Sequence, residues 1–309
     1  MRVLIATDFS PHAEDAVKIV KRLPLPSGST VRILHAIEPF ADVATLNPGA
    51  ITAFTDAAVA QIKSELDRIA VTLRAPGRDV ETVTVLGRVA DAIVQEAESS
   101  RADLIVVGSR GRHALESALL GSVSAEVVDR APCPVIIARG PTLRKAILAE
   151  DGSETAAAGA RFIAASPALN DLEVRVVSVV DAPFPSMLNG SDAAMGTYAA
   201  VQAYYDSLPA LRETTAKIAR ERAMFLVAAG LNATSEIREG NVADKLIAAA
   251  VEAHADCIVI GTHGRTGLTR LFLGSVARAI LFNARCSVLI VPGAKVAAGL
   301  RERVLAASN

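Results

Sequence analysis

Two short stretches of this chain have the residue types and spacing to hold a phosphate. Gly108-Ser-Arg-Gly111 is followed after nine residues by Gly121-Ser122, and Gly261-Thr-His-Gly264 is followed after nine by Gly274-Ser275. Glycines let the backbone approach an anion closely, and the free N–H groups and positive dipole end of a following helix stabilise its charge. In the first copy the apolar run Leu104 to Val107 stops at Gly108, as a buried strand does on entering a loop, and Ser122 opens a run with helical spacing. One copy is a weak signal; two with the same internal spacing form a repeat. Asp8 and Asp151 stand in matching places ahead of the two loops. Each could accept hydrogen bonds from a sugar or base edge, or simply cap its own turn.

Other chemistry is sparse. The five histidines show no metal-binding spacing. His12, His113 and His254 read as surface or helix residues, His35 as packed, and His263, inside the second loop, as a candidate ligand. Arg112 and Arg265 recur directly after each loop's second glycine and could be solvated or paired with phosphate or carboxylate. No carboxylate pair, Ser-His-Asp set or P-loop lysine is present, so a fast phosphoryl-transfer enzyme would lack its machinery.

The elements that must position these groups alternate strand and helix. Val3 to Ala6 reads as a strand ending at Thr7-Asp8-Phe9-Ser10, with Ser10 as N-cap and Pro11 at the first helical position. Strands over Val31 to Ile37, Val80 to Leu86, Leu104 to Val107 and Pro134 to Ala138 follow. Helices between them run to about Leu23, from about Ile51 to Leu73, from Val89, and from Ser122 to about Arg130. The second half repeats the plan: Gly240-Asn-Val-Ala-Asp244 matches Gly87-Arg-Val-Ala-Asp91, Ser153 matches Ser10, and Ser287 to Val291 matches Pro134 to Ala138. From Asp151 to Gly240 the second half is ten residues longer than the first half from Asp8 to Gly87. The extra length is expected in 181–208, as a longer connection beside a helix or as a flap over a ligand or a partner-binding surface.

Such alternation implies parallel sheets with helices on both faces and ligands at the strands' carboxyl ends. The expected fold is α/β: two tandem Rossmann-like domains, each a five-stranded parallel sheet of order 3-2-1-4-5. Composition narrows the function. At 309 residues there is room for two domains, and 32 Lys plus Arg against 33 Asp plus Glu, with 4% aromatics, argue against nucleic-acid binding. Apolar runs are too short to cross a membrane, nothing at Met1 to Thr7 suggests export, and three widely spaced cysteines suit a reduced, cytoplasmic setting. Cys133 and Cys286 occupy matching places before the fifth strands, as small buried apolar residues do.

Gly, two residues, Gly, nine residues, Gly-Ser resembles the ATP-binding motif of the universal stress protein family, and Ala6 to Ser10 resembles that family's first turn. The resemblance covers two tandem domains, 1–140 and 143–293, leaving a tail at 294–309 in which Ala297 to Ala307 could form a loosely attached helix or a disordered tail. It implies ATP, with a divalent metal such as Mg2+, at the strand ends. Asp8 and the Ala36 backbone would meet adenine or ribose; Gly108, Arg110 and Gly111 would line ribose and phosphates; Gly121, Ser122, Val123 and Ser124 would hold phosphates. The second set is Asp151, Val179, Gly261, His263, Gly264, Gly274, Ser275 and Val276, with Ala277 and Arg278 where the first half has Ser124 and Ala125. The family further implies pairing through the fifth strands, within or between chains. The expected function is nucleotide-dependent regulation of stress response through an unknown protein partner, with at most slow hydrolysis. Alternatives are an ATP-hydrolysing or nucleotidyl-transferring enzyme, and a chaperone-like scaffold with vestigial sites.

Overall fold

The computed structural model describes residues 1–38, 48–111, 120–181, 194–264 and 273–293, without the side chains of 48–56, 194–201 and 204. In the first half β1 (Arg2–Ala6), α1 (Pro11–Arg22), β2 (Ser29–Ile37), α2 (Pro48–Leu73), β3 (Arg78–Leu86), α3 (Val89–Ser99), β4 (Leu104–Gly108), α4 (Ser122–Arg130) and β5 (Val135–Ala138) alternate. The second half repeats them as β6 (Lys145–Ala149), α5 (Glu154–Ala165), β7 (Glu173–Val180), α6 (Ala194–Ala228), β8 (Ala233–Glu239), α7 (Val242–Glu252), β9 (Cys257–Gly261), α8 (Ser275–Asn283) and β10 (Ser287–Val291).

The inner strands are apolar because they are covered on both faces, whereas the edge strands β3 and β8 carry exposed polar residues. In β4, Leu104 to Val107 are buried, and in β9 all five residues are. The order is β3-β2-β1-β4-β5-β10-β9-β6-β7-β8 in one ten-stranded sheet. Within each half the order is the expected 3-2-1-4-5, and the fifth strands join the two halves into one sheet. Each half is parallel, but β5 and β10 pair antiparallel, Ile136 opposite Leu289 and Ile137 opposite Val288. Fifth-strand pairing is therefore made within the chain. It removes the bare β5 and β10 edges and leaves β3 and β8 at the ends of the sheet.

Two cores result, one per face, and both cross the junction. One joins α1, α2, α5 and α6 through Ile19, Leu66, Phe162 and Leu226; the other joins α3, α4, α7 and α8 through Ile93, Val127, Leu246 and Ile280. Each such side chain contributes on the order of 2 kcal/mol by leaving water. The second half's extra length is mostly helix. α6 has 35 residues against 26 in α2, whereas 182–193, where a flap was considered, lies outside the described residues, as does the tail at 294–309.

Candidate functional site

Because β5 and β10 run in opposite directions, the carboxyl ends of the first half's strands lie at one edge of the sheet and those of the second half at the other. Each edge carries one copy of the glycine-loop cleft. In the first, Ser10 caps α1 by accepting from Ala13 N at 3.2 Å, and Asp8 Oδ1 accepts from Ser10 N at 3.0 Å. In the second, Ser153 accepts from Ala156 N at 3.2 Å and Asp151 Oδ1 from Ser153 N at 2.9 Å. Both aspartates thus cap a turn through one oxygen. The other oxygen faces the glycine loop: a Cβ on Gly111 would stand 3.0 Å from Asp8 Oδ2, and one on Gly264 would stand 2.9 Å from Asp151 Oδ2.

Gly108 and Gly261 have a different role. A Cβ there would lie 2.8 Å from the backbone of α1 and α5 respectively, so these glycines let helix and strand end pack together. The loops then close on their helices through Gly121 N to Ser109 O at 2.7 Å and Gly274 N to Thr262 O at 2.8 Å. α4 and α8 begin at Gly121 and Gly274, and among the described residues neither receives the side-chain cap that Ser10, Ser153 and Asn241 give α1, α5 and α7. The first amides of these helices, at Ser122 and Val123 and at Ser275 and Val276, therefore face the cleft as donors.

Ala36 and Val179 lie near the ends of β2 and β7. Leu34 O accepts from Thr7 N at 2.9 Å and Val177 O from Glu150 N at 3.0 Å. Residues two further along a strand direct their N–H and C=O to the same side. Ala36 and Val179 therefore present a donor and an acceptor past the ends of β1 and β6, beside the aspartates.

Ser124 departs from its expected role. It is buried, and its hydroxyl donates to Gly108 O at 2.8 Å, bracing the strand end instead of reaching into the cleft. In the second half Ala277 has no such hydroxyl, and Thr155 Oγ1 instead donates to the His263 carbonyl. His263 Nδ1 lies 3.0 Å from Thr262 Oγ1, and its Nε2 is buried without a hydrogen-bond partner among the described residues. Arg110 occupies the corresponding place in the first loop. Arg112, His113 and Arg265 lie outside the described residues.

Three features escaped the sequence reading. His35 Nδ1 lies 2.8 Å from Thr7 O, and its ring stacks on Phe9 with centroids 4.7 Å apart. In the second half the same positions are Glu150, Gly152 and Ser178. Glu150 is buried, accepts from Gly152 N at 2.7 Å and pairs with Arg222 of α6, while Ile218 of α6 fills the space above Gly152. Third, Arg139, just after β5, donates to the Cys286 carbonyl at 3.4 Å and to the Leu281 carbonyl near the end of α8. Burial, with Arg110 nearby, pushes Arg139 down to about 10. Cys286 is half-buried, and burial raises its thiol.

Fold and site together define a doubly wound α/β protein carrying the same glycine-loop cleft twice, at opposite sheet edges. The universal stress protein family model matches residues 1–139 and 142–292. The chain belongs to the universal stress protein family. A Thermus aquaticus universal stress protein is 34% identical over 140 residues, 44% of this chain and 97% of that protein. One from Mycobacterium tuberculosis is 29% identical over 212 residues and 62% of this chain, which spans 62% of that relative's length. A solved universal stress protein from Archaeoglobus fulgidus superposes with a TM-score of 0.64 over 94% of this chain and 98% of its own, at 19% identity, a likeness of fold alone. Among the described residues, no helix is long and apolar enough to cross a membrane.

Proposed function

We propose that the two clefts bind ATP or a related adenine nucleotide, and that occupancy biases the contacts of a stress-response regulatory protein with a protein partner. What carries the reading is the doubled pairing of an aspartate oxygen with a loop glycine, 3.0 Å from the Gly111 Cβ position in one cleft and 2.9 Å from that of Gly264 in the other. Beside each pair stands a helix start without a side-chain cap, suited to phosphates. The geometry suits a nucleotide laid along the strand ends. Its base would meet the Ala36 or Val179 backbone, its ribose Asp8 or Asp151, and its phosphates the amides of Ser122 and Val123 or Ser275 and Val276. Arg110 and His263 would lie alongside.

No group of three or more His, Cys, Asp or Glu among the described residues could hold a metal. The test is to denature freshly purified protein and identify released nucleotide by chromatography. Adenine nucleotide at about two per chain is expected, lowered to about one in each of Gly121→Val and Gly274→Val. Protein that arrives empty and then binds no ATP, ADP or AMP at about millimolar concentration, far weaker than ordinary ligand affinities, sinks the reading.

A further inference from the structure

The two clefts open at opposite edges of the sheet, yet one short element links them. α8 starts at Gly274, in the second cleft, and runs back along the sheet to Asn283, near the start of β10. Because β10 lies antiparallel to β5, that start sits beside the end of β5, at the edge of the first cleft. Nine residues at about 1.5 Å each make α8 about 13 Å long.

Arg139 occupies the meeting point. Its backbone N donates to Ser287 Oγ at 3.1 Å, and its guanidinium donates to the Leu281 and Cys286 carbonyls, placing a cation at the negative end of the α8 dipole. The residue before it, Ala138, pairs with Gly108 of the first loop and accepts from Ser109 N at 3.1 Å. The arrangement has no counterpart in the other direction. Pro292 stands where symmetry would place a second arginine, and the only basic residue in the last turn of α4 is its own Arg130.

We infer that the two clefts are energetically coupled through Arg139, a positioning residue that fixes α8, and hence the second phosphate site, more firmly when nucleotide occupies the first. The inference rests on the proposed nucleotide binding. Phosphates held by the first loop steady its backbone, and with it the Ser109 N to Ala138 O bond that fixes the end of β5 and Arg139 directly after it. Arg139 then holds the carboxyl end of α8, and the amides at the other end of the helix need less ordering to receive a second nucleotide.

Calorimetric titration with ATP of the full chain, of Gly121→Val, of Arg139→Met and of the double variant closes a cycle. The expected result is that Gly121→Val, which removes the first site, weakens the second about fivefold or more with Arg139 present, and less than twofold once Arg139→Met is in place. Arg139→Lys, which keeps the charge, is expected to restore part of the coupling. A second site indifferent to Gly121→Val, or equally sensitive to it in the Arg139→Met background, overturns the inference. The native arginine allows a second measurement, amide exchange in Asp151→Ala, whose titration with ATP is expected to show the first site alone. There ATP is expected to slow exchange in the last turn of α8, and unchanged exchange overturns the coupling. Failure of every form to bind ATP overturns the binding proposal as well, and so is told apart from loss of coupling alone.

Discussion

Glu150 follows directly on β6, an apolar strand, and precedes the aspartate that faces the second cleft. Its side chain is fully buried, and it is held by Gly152 N and by Arg222, which reaches across from α6. Removing one member of such a pair leaves a desolvated charge, whereas replacing both is far less damaging. Arg222→Ala is expected to lower unfolding free energy by about 3 kcal/mol in urea titrations. Adding Glu150→Thr, which copies Thr7 of the first half, is expected to recover most of the loss. If the double variant is as unstable as the single, the pair is not the cause. The aspartates and loop glycines were legible in the sequence because their spacing recurs and each sits at a strand end. The Glu150–Arg222 pair was not, because its members are 72 residues apart and only the packing of α6 joins them. The one hint was a carboxylate where an apolar strand meets its turn. Ser124 misled for a related reason: type and position fit a phosphate ligand, but the backbone turns its hydroxyl onto Gly108 O.

Among the elements, helix starts were readable from Ser10 with Pro11 and from Ser153, since a cap is a local interaction. The extra residues of the second half were assigned to the right region, but their form was not. Most of them lengthen α6, whose buried face, Thr215, Ala219, Ala223 and Leu226, lies in its C-terminal half. Beside their apolar contacts, α3 and α4 also meet through charge. α3 and α4 are joined by Asp91, Arg130, Arg88 and Glu126, with Arg130 Nη1 2.5 Å from Asp91 Oδ1. The hydrogen bond from Arg130 holds the Asp91 carboxyl below its ordinary 3.8. A depressed carboxyl adds stability above its unfolded value and loses that contribution as pH falls through the lower folded value. Asp91→Asn is therefore expected to melt below wild type at neutral pH, with the gap closing as pH falls below about 3.8. A gap that persists at the acid end assigns the effect to packing rather than charge.

At the scale of the whole molecule, the alternation of elements announced a parallel α/β fold, because crossovers demand it. It did not announce one sheet. The apolar runs Val135 to Ala138 and Ser287 to Val291 are buried throughout, which says that both faces are covered but not which strand lies alongside. Only the family resemblance pointed to pairing of the fifth strands. The junction makes the two halves share both cores, so damage there should be felt by both. Leu289 is 2% exposed opposite Ile136. Leu289→Ala is expected to cost about 3 kcal/mol and to lower the melting of probes in both halves together. A fall confined to residues 142–292 would mean that the halves unfold independently.

Joining the fifth strands inside a single polypeptide frees their meeting surface from a rule that binds identical subunits. Two copies of one chain related by a twofold axis must offer each other the same patch, so any residue placed on one side appears on the other. Here Arg139 faces a helix end while Pro292 holds the mirrored post, and Arg110 and His263 occupy sister loops. Each lobe can change without its twin following, and dilution cannot part them.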